Sequence, residues 1–258
     1  MFHASELLHG LSGLRLARPI HLYQRIGSTN AEAWQLAEAG APEGLLVVAE
    51  EQTAGRGRAG RQWITPPGTA LAFSLVLRPS HLPAQHAARI TMLGGLAACE
   101  AIEQTTALGA TLKWPNDVLI SRKKVAGILL ETALQGDRLS YAVLGLGMNV
   151  SFAPSPLEVD FPATSLQAEA GAEVNRLRLL RAIIAGLEAR YASVMEEELY
   201  RDWRTRLTLM NEPILVRTAS GEHRGRAENV IPDGTLILRL DSGESLRLFA
   251  GDVHLRPV

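Results

Sequence analysis

The chain has a single cysteine in 258 residues, only 5% of it is aromatic, and its 26 basic and 27 acidic residues leave a formal charge of -1. Each shortage excludes something. One thiol, Cys99, rules out an intrachain disulfide framework and a cysteine-rich zinc site, and it suits a reducing compartment. A near-neutral balance gives no global positive field to hold a nucleic-acid backbone, so any such role has to be local. No stretch approaches the length needed to cross a bilayer, and no basic segment with a following apolar run opens the chain. These absences point to the cytoplasm and away from membranes. The seven histidines lack a metal-ligand spacing such as His-Glu-x-x-His, so no metal site is assigned to them.

What is present is a chain that is 47% hydrophobic, long enough for one large core and a small second unit. After a short helical lead-in, Pro19 to Ile26 reads as a strand, and Ser28-Thr29-Asn30 opens a helix. Thr29 with Glu32 has capping-box spacing, and Gly40 sits where a helix ends in a left-handed residue. Strands are expected over 44–49, 70–77, 111–120, 125–132 and 139–150, with a helix over 84–108 in which Cys99 fills space. Leu177, Leu180, Ile184, Leu187, Tyr191 and Met195 form one face of an amphipathic helix. Past Asn211-Glu212-Pro213 the pattern changes to short strands separated by Ser220-Gly221, Asp233-Gly234 and Ser242-Gly243. The expectation is a larger α/β unit over 1–211 and a small β unit over 212–258.

Three segments carry chemistry. Gly55-Arg56-Gly57-Arg58-Ala59-Gly60 continues into Arg61, Gln62 and Trp63. Glycines let main-chain N–H groups approach an anion, and guanidinium groups grip phosphate or carboxylate with paired donors. It is neither a P-loop nor a dinucleotide fingerprint, and taken alone an RNA-contacting arginine loop explains it equally well. The neutral total charge and the lack of interleaved aromatics weigh against RNA. Lys113-Trp114-Pro115-Asn116-Asp117 places a proline and an aspartate in a strand-like stretch, which suits either a rigid site or an edge-strand turn. Of the basic turn Arg122-Lys123-Lys124, Lys124 adjoins the buried run Val125-Ala126-Gly127-Ile128 and is the functional candidate, while its two neighbours are expected in water. Gly145-Leu146-Gly147-Met148-Asn149 suits a ligand against strand backbone, or a bulge.

Taken in order, Ser28-Thr29-Asn30, Glu51 to Arg58, Lys113 to Asp117, Lys124 to Leu129 and Gly145 to Asn149 resemble the biotin protein ligase family. The resemblance implies a mixed central sheet with flanking helices, class II synthetase-like, and a C-terminal SH3-like β-barrel. It implies two steps with ATP, biotin and Mg²⁺: formation of biotinyl-5′-AMP, then transfer to a lysine of a biotin carboxyl carrier protein. By the same resemblance Ser28, Thr29, Asn30 and Gln52 contact the ring system of biotin. Arg56, Gly57 and Arg58 bind its carboxylate and the phosphates, Lys124 reaches the reacting groups, and Trp63 walls the adenylate. Asn116, Gly145, Gly147 and Asn149 line the pocket, and Asp117 contacts a metal or helps deprotonate the acceptor lysine. Only 27 residues precede Ser28, too few for the winged helix-turn-helix of the family's repressors, so DNA regulation is not expected; a homodimer is compatible with the resemblance. Ala59 stands where some relatives carry arginine. A lipoate-protein ligase and a noncatalytic nucleotide or RNA binder are the competing readings.

Overall fold

Side chains of a strand alternate between two faces, so a sheet covered on both sides needs apolar residues at odd and even positions alike. Strands β2 (Leu46–Ala49) and β3 (Ala70–Leu77) are buried throughout. Leu46, Val48, Leu71, Phe73 and Leu75 face the main core, where helices α3 (Ala88–Thr106) and α5 (Arg176–Tyr191) pack. Val47 and Val76 face the opposite way, into a smaller cluster beneath helix α2 (Thr29–Glu38). The computed structural model describes residues 1–155, 161–249 and 251–255.

With β1 (Ile20–Tyr23), β4 (Thr111–Lys113), β5 (Asp117–Ile120), β6 (Lys123–Gln135) and β7 (Arg138–Asn149), the main sheet has the order β1-β2-β3-β7-β6-β5-β4 among the described residues. Among the described strands of this sheet, β1 and β2 form the one parallel ladder. Helices α1 (Ala4–Gly10), α4 (Leu166–Ala170) and α6 (Glu197–Thr205) complete this part. The mixed α/β architecture is the one expected.

Several local expectations differ from what forms. The stretch 111–120 is a hairpin rather than one strand: Lys113 pairs with Asp117 across a turn at Trp114-Pro115-Asn116, because proline cannot extend a ladder. Helix α2 takes Ser28 as its N-cap without a side-chain capping bond, and Glu32 instead accepts from the Tyr23 hydroxyl at 2.7 Å. The capping box is therefore absent, and Thr29 is released for other bonds. Gly40 does adopt the left-handed turn, at φ +93°. Helix α5 buries Leu179, Leu180, Ile183, Ile184 and Leu187 but ends at Tyr191, leaving Met195 in the turn beyond and 38% exposed. Cys99 is fully buried within α3, and burial pushes its thiol up to about 12.

The C-terminal strands are β8 (Pro213–Thr218), β9 (Gly221–Val230), β10 (Leu236–Leu240), β11 (Ser245–Leu248) and β12 (Asp252–Leu255). They form an antiparallel sheet of order β11-β10-β9-β8-β12, with no pairing between the end strands among the described residues. A small five-stranded β sheet thus stands where a barrel was expected, with no closure seen among the described residues. Its Ile214, Val216, Ala227 and Leu238 belong to the main core, and Trp114 donates its indole N–H to the Gly234 carbonyl at 2.7 Å. The turn after β4 is thereby seated against this second sheet.

Candidate active site

Period-two alternation builds the floor of a cavity of about 440 Å³. In β7, Tyr141 and Val143 lie under α2, so Gly145, Gly147 and Asn149 continue that face past the end of the helix. In β3, Ser74 shares the face through its pairing with Gly145. In β6, Gly127 pairs with Gly147 and Leu129 with Gly145. Lys124 has the opposite parity. It still faces the cavity because Lys124 pairs with Leu119 and Ala126 with Val118, so Val125 is an extra residue, a bulge that re-aims the chain. The Lys124 main chain is also pinned to the segment beside it, bonding the Pro162 carbonyl and the Thr164 N–H.

The residues to which the resemblance gives a contact all line this one cavity: Ser28, Thr29, Asn30, Gln52, Arg56, Gly57, Arg58, Trp63, Asn116, Asp117, Lys124, Gly145, Gly147 and Asn149. One end is neutral and finely oriented. Gln52 accepts from the Thr29 N–H at 2.8 Å and from its hydroxyl at 3.0 Å, and donates to Thr65 at 3.3 Å. Asn30 accepts from Ser74 at 2.6 Å and donates to the Glu131 carboxylate at 2.9 Å. A Cβ on Gly145 would lie 1.8 Å from Asn30 Oδ1, so glycine there makes room for the chain's own amide. Gly147 is likewise covered by the Trp63 indole, 2.4 Å from where a Cβ would stand. The buried Ser28 hydroxyl and Trp63 N–H find no partner among the described residues.

The other end is cationic. Arg58 donates to Asn116 Oδ1 at 3.3 Å, and Asn116 is itself held to β6 by its side-chain N–H on the Ile128 carbonyl at 2.8 Å. Lys124 and Lys113 contact the two oxygens of buried Asp117 at 2.6 and 2.8 Å. Burial pushes the Asp117 carboxyl up, but the ammonium groups of Lys124 and Lys113 outweigh it and hold the acid well below the usual carboxylate range. Lys113 also donates to the Val253 carbonyl at 3.3 Å and sits 4.5 Å from the centre of the Phe161 ring. Lys124 lies 5.6 Å from the Trp63 ring centre.

Some expectations shift. Asp117 has both oxygens engaged by lysines, which makes it a poor base while so paired and a fixed support for Lys124. Among the described residues no group of three acidic, histidine or cysteine side chains could hold a metal ion. Asn149 lines the cavity but gives its N–H to the Thr164 carbonyl at 3.0 Å, bracing the wall. Arg122 and Lys123 keep about half of each side chain in water, as expected, while pairing with Glu212 at 2.8 Å and Glu169 at 2.5 Å. Sequence reasoning passed over Lys113 as a charge in the site and missed Glu131, which binds Asn30 and pairs with Arg56 at 2.8 Å. The signal for Glu131 was available, since Gly127, Leu129 and Glu131 share one strand face.

Comparison with known proteins bears on this geometry. The Biotin/lipoate A/B protein ligase family matches residues 22–149. The bifunctional ligase/repressor BirA of Bacillus subtilis (strain 168) is 33% identical over 97% of this chain and 78% of its own length. The biotin--[acetyl-CoA-carboxylase] ligase of Paracoccus denitrificans is 38% identical over 86% of this chain and 95% of its own. This chain belongs to the biotin protein ligase family. Among solved members, the Aquifex aeolicus biotin protein ligase in complex with biotin and ATP superposes with a TM-score of 0.77 at 27% identity, covering 93% of this chain and 100% of that one. The family match spans the Ser28, Gly55–Gly60, Lys113–Asp117, Lys124 and Gly145 segments.

Proposed function

We propose that this chain activates biotin with ATP and passes it to a lysine of a biotin carboxyl carrier protein. The observation that carries this reading is the division of one cavity into a neutral end of oriented amides and hydroxyls and a cationic end bearing Arg58 and Lys124. Its volume falls in the range of roughly 300–1,000 Å³ that encloses small-molecule ligands. The neutral end suits a ring with amide-like donors and acceptors, and the Ser28 hydroxyl is an unused polar group there.

In the first step a carboxylate oxygen of biotin attacks the α-phosphorus of ATP, pyrophosphate leaves, and biotinyl-5′-AMP forms. Two anions approach, so fixed cations in a water-poor cleft lower the barrier. Arg58 and Lys124 supply them, and Asp117 with Lys113 keeps the Lys124 ammonium aimed at the reacting carboxylate and phosphate. Asp117 is thus a positioning residue. Mg²⁺ would come with the phosphates of ATP as part of the substrate and offset part of their charge. In the second step the acceptor amine attacks the acyl carbonyl, AMP leaves, and a proton is lost to solvent or a neighbouring base. Trp63, packed on Gly147 and Gly127, walls the cleft where the adenylate lies and limits water. Among the described residues no helix is long and apolar enough to cross a membrane, and the cytoplasm is the compartment we propose, on the single buried thiol.

The test is one incubation of protein, ATP, Mg²⁺, biotin and a carrier-domain fragment, probed for covalent biotin on the fragment. Labelling that needs all four additions supports the reading; none, with folded protein and an intact acceptor, refutes it.

A further inference from the structure

Glu131 has no role in the two-step scheme above, yet it touches both ends of the cavity. One carboxylate oxygen accepts from Asn30 Nδ2 at 2.9 Å, and the other pairs with Arg56 Nη2 at 2.8 Å. Asn30 is 4% exposed and Arg56 lies on the glycine loop with about half its side chain in water. A carboxylate can only accept, so it dictates which way a neighbouring amide points. With its NH₂ held by Glu131 and, more loosely, by the Leu129 carbonyl at 3.4 Å, the Asn30 oxygen is turned to Ser74 and Gly145. A loop whose glycines lower its stiffness needs anchors, and Arg56 ties this loop to the sheet face through Glu131.

We infer that Glu131 is a positioning residue that couples the two halves of the site, setting the amide of Asn30 for the biotin ring with one oxygen and tethering the glycine loop through Arg56 with the other. The inference rests on the cavity being a biotin site. Arg56 then acts on the ligand through the loop it anchors, and Arg58 is the guanidinium that meets the anion. Because Arg56, Gly57 and Arg58 of the loop line the cavity, the tether governs how long the adenylate is kept there.

The experiment uses the full chain and three variants, Glu131→Ala, the isosteric Glu131→Gln and Arg56→Ala, with the double variant E131Q/R56A. Biotin affinity is measured by calorimetry, release of preformed biotinyl-5′-AMP by stopped flow, and folding by thermal melting. Glu131→Ala is expected to weaken biotin about tenfold, ~1.4 kcal/mol, and to speed adenylate release by a similar factor. Glu131→Gln keeps an acceptor for Asn30 but loses the charge, so biotin affinity stays within about threefold while release accelerates about tenfold, each decade being ~1.4 kcal/mol. Arg56→Ala should match Glu131→Gln, and the double variant should release no faster than either. Unchanged biotin affinity and release in folded Glu131→Ala, or additive effects in the double variant, overturns the inference. A purely structural Glu131 would lower the melting temperature alone. Failure of the unmodified chain to bind biotin would instead refute the functional reading itself.

Discussion

Replacing Gly145 by alanine probes the neutral end of the site with the smallest possible change. The added methyl would stand 1.8 Å from Asn30 Oδ1 and 2.8 Å from its Cγ, where real contacts do not fall below 3.0 Å. Asn30 therefore has to retreat by more than an ångström. It is held by Ser74 at 2.6 Å and Glu131 at 2.9 Å, and Ser74 is fully buried. Each bond lost costs ~1 kcal/mol net, and a buried partner left unsatisfied raises that to ~1–3 kcal/mol. A loss of ~2–3 kcal/mol of stability lowers the melting temperature by roughly 4–12 °C in a chain of this size, at about 2–4 °C per kcal/mol. Calorimetry should show biotin binding weakened by about tenfold or more, one decade per ~1.4 kcal/mol. Gly109→Ala, at a position with nothing within 4 Å, serves as the control and should change neither quantity. Biotin affinity within threefold of the parent, with an unchanged melt, would show that the Asn30–Gly145 contact is not part of the biotin site, since ~0.6 kcal/mol is within ordinary scatter.

Two further outcomes follow from buried charge. The Asp117 carboxyl is held below its usual range in the folded chain, so its contribution is full above the unfolded value of about 3.9 and fades as pH falls toward the folded one. The stability gap between the parent and Asp117→Asn, ~3–5 kcal/mol for a buried ion pair broken from one side, should be flat from pH 8 to about 5 and shrink only below about 4; a gap that closes near neutral pH would contradict the assignment. Arg176 pairs with the fully buried Glu50 at 2.9 Å, stacks on Phe2 at 4.4 Å and bonds the Ala70 carbonyl at 3.1 Å, while the Phe2 N–H also donates to Glu50. Arg176→Ala should cost ~3–5 kcal/mol in denaturant unfolding by stranding that carboxylate, and a loss under about 1 kcal/mol would mean that Glu50 finds another partner or takes up a proton.

Much of this was legible because strand periodicity and glycine placement act locally. The run Ala70–Leu77 formed a strand with the expected bounds, and the α5 face buried Leu180, Ile184 and Leu187 as its spacing required. The motif residues met on one cavity because Gly145, Gly147 and Asn149 share one face of β7 and the helix, turn and loop members open onto it. What stayed hidden depends on long-range pairing. The turn at Trp114-Pro115-Asn116 was open as one of two readings, whereas the Val125 bulge that turns Lys124 inward needed the register of β5 on β6. Glu131 reads as a half-buried strand carboxylate until Arg56 and Asn30 are brought to it from 75 and 101 positions away. Thr29 looked like a helix cap because Gln52, its real partner, lies 23 residues on.

The central claim is that this cavity joins the carboxylate of biotin to the α-phosphate of ATP, with Lys124 among the cations that permit it. ATP–pyrophosphate exchange measured with biotin, lipoate and octanoate in turn, on the parent and on Lys124→Ala, tests it most directly. Exchange that requires biotin and is lost in folded Lys124→Ala is the predicted result. Exchange supported by lipoate or octanoate and not by biotin, or by none of the three acids, would contradict it.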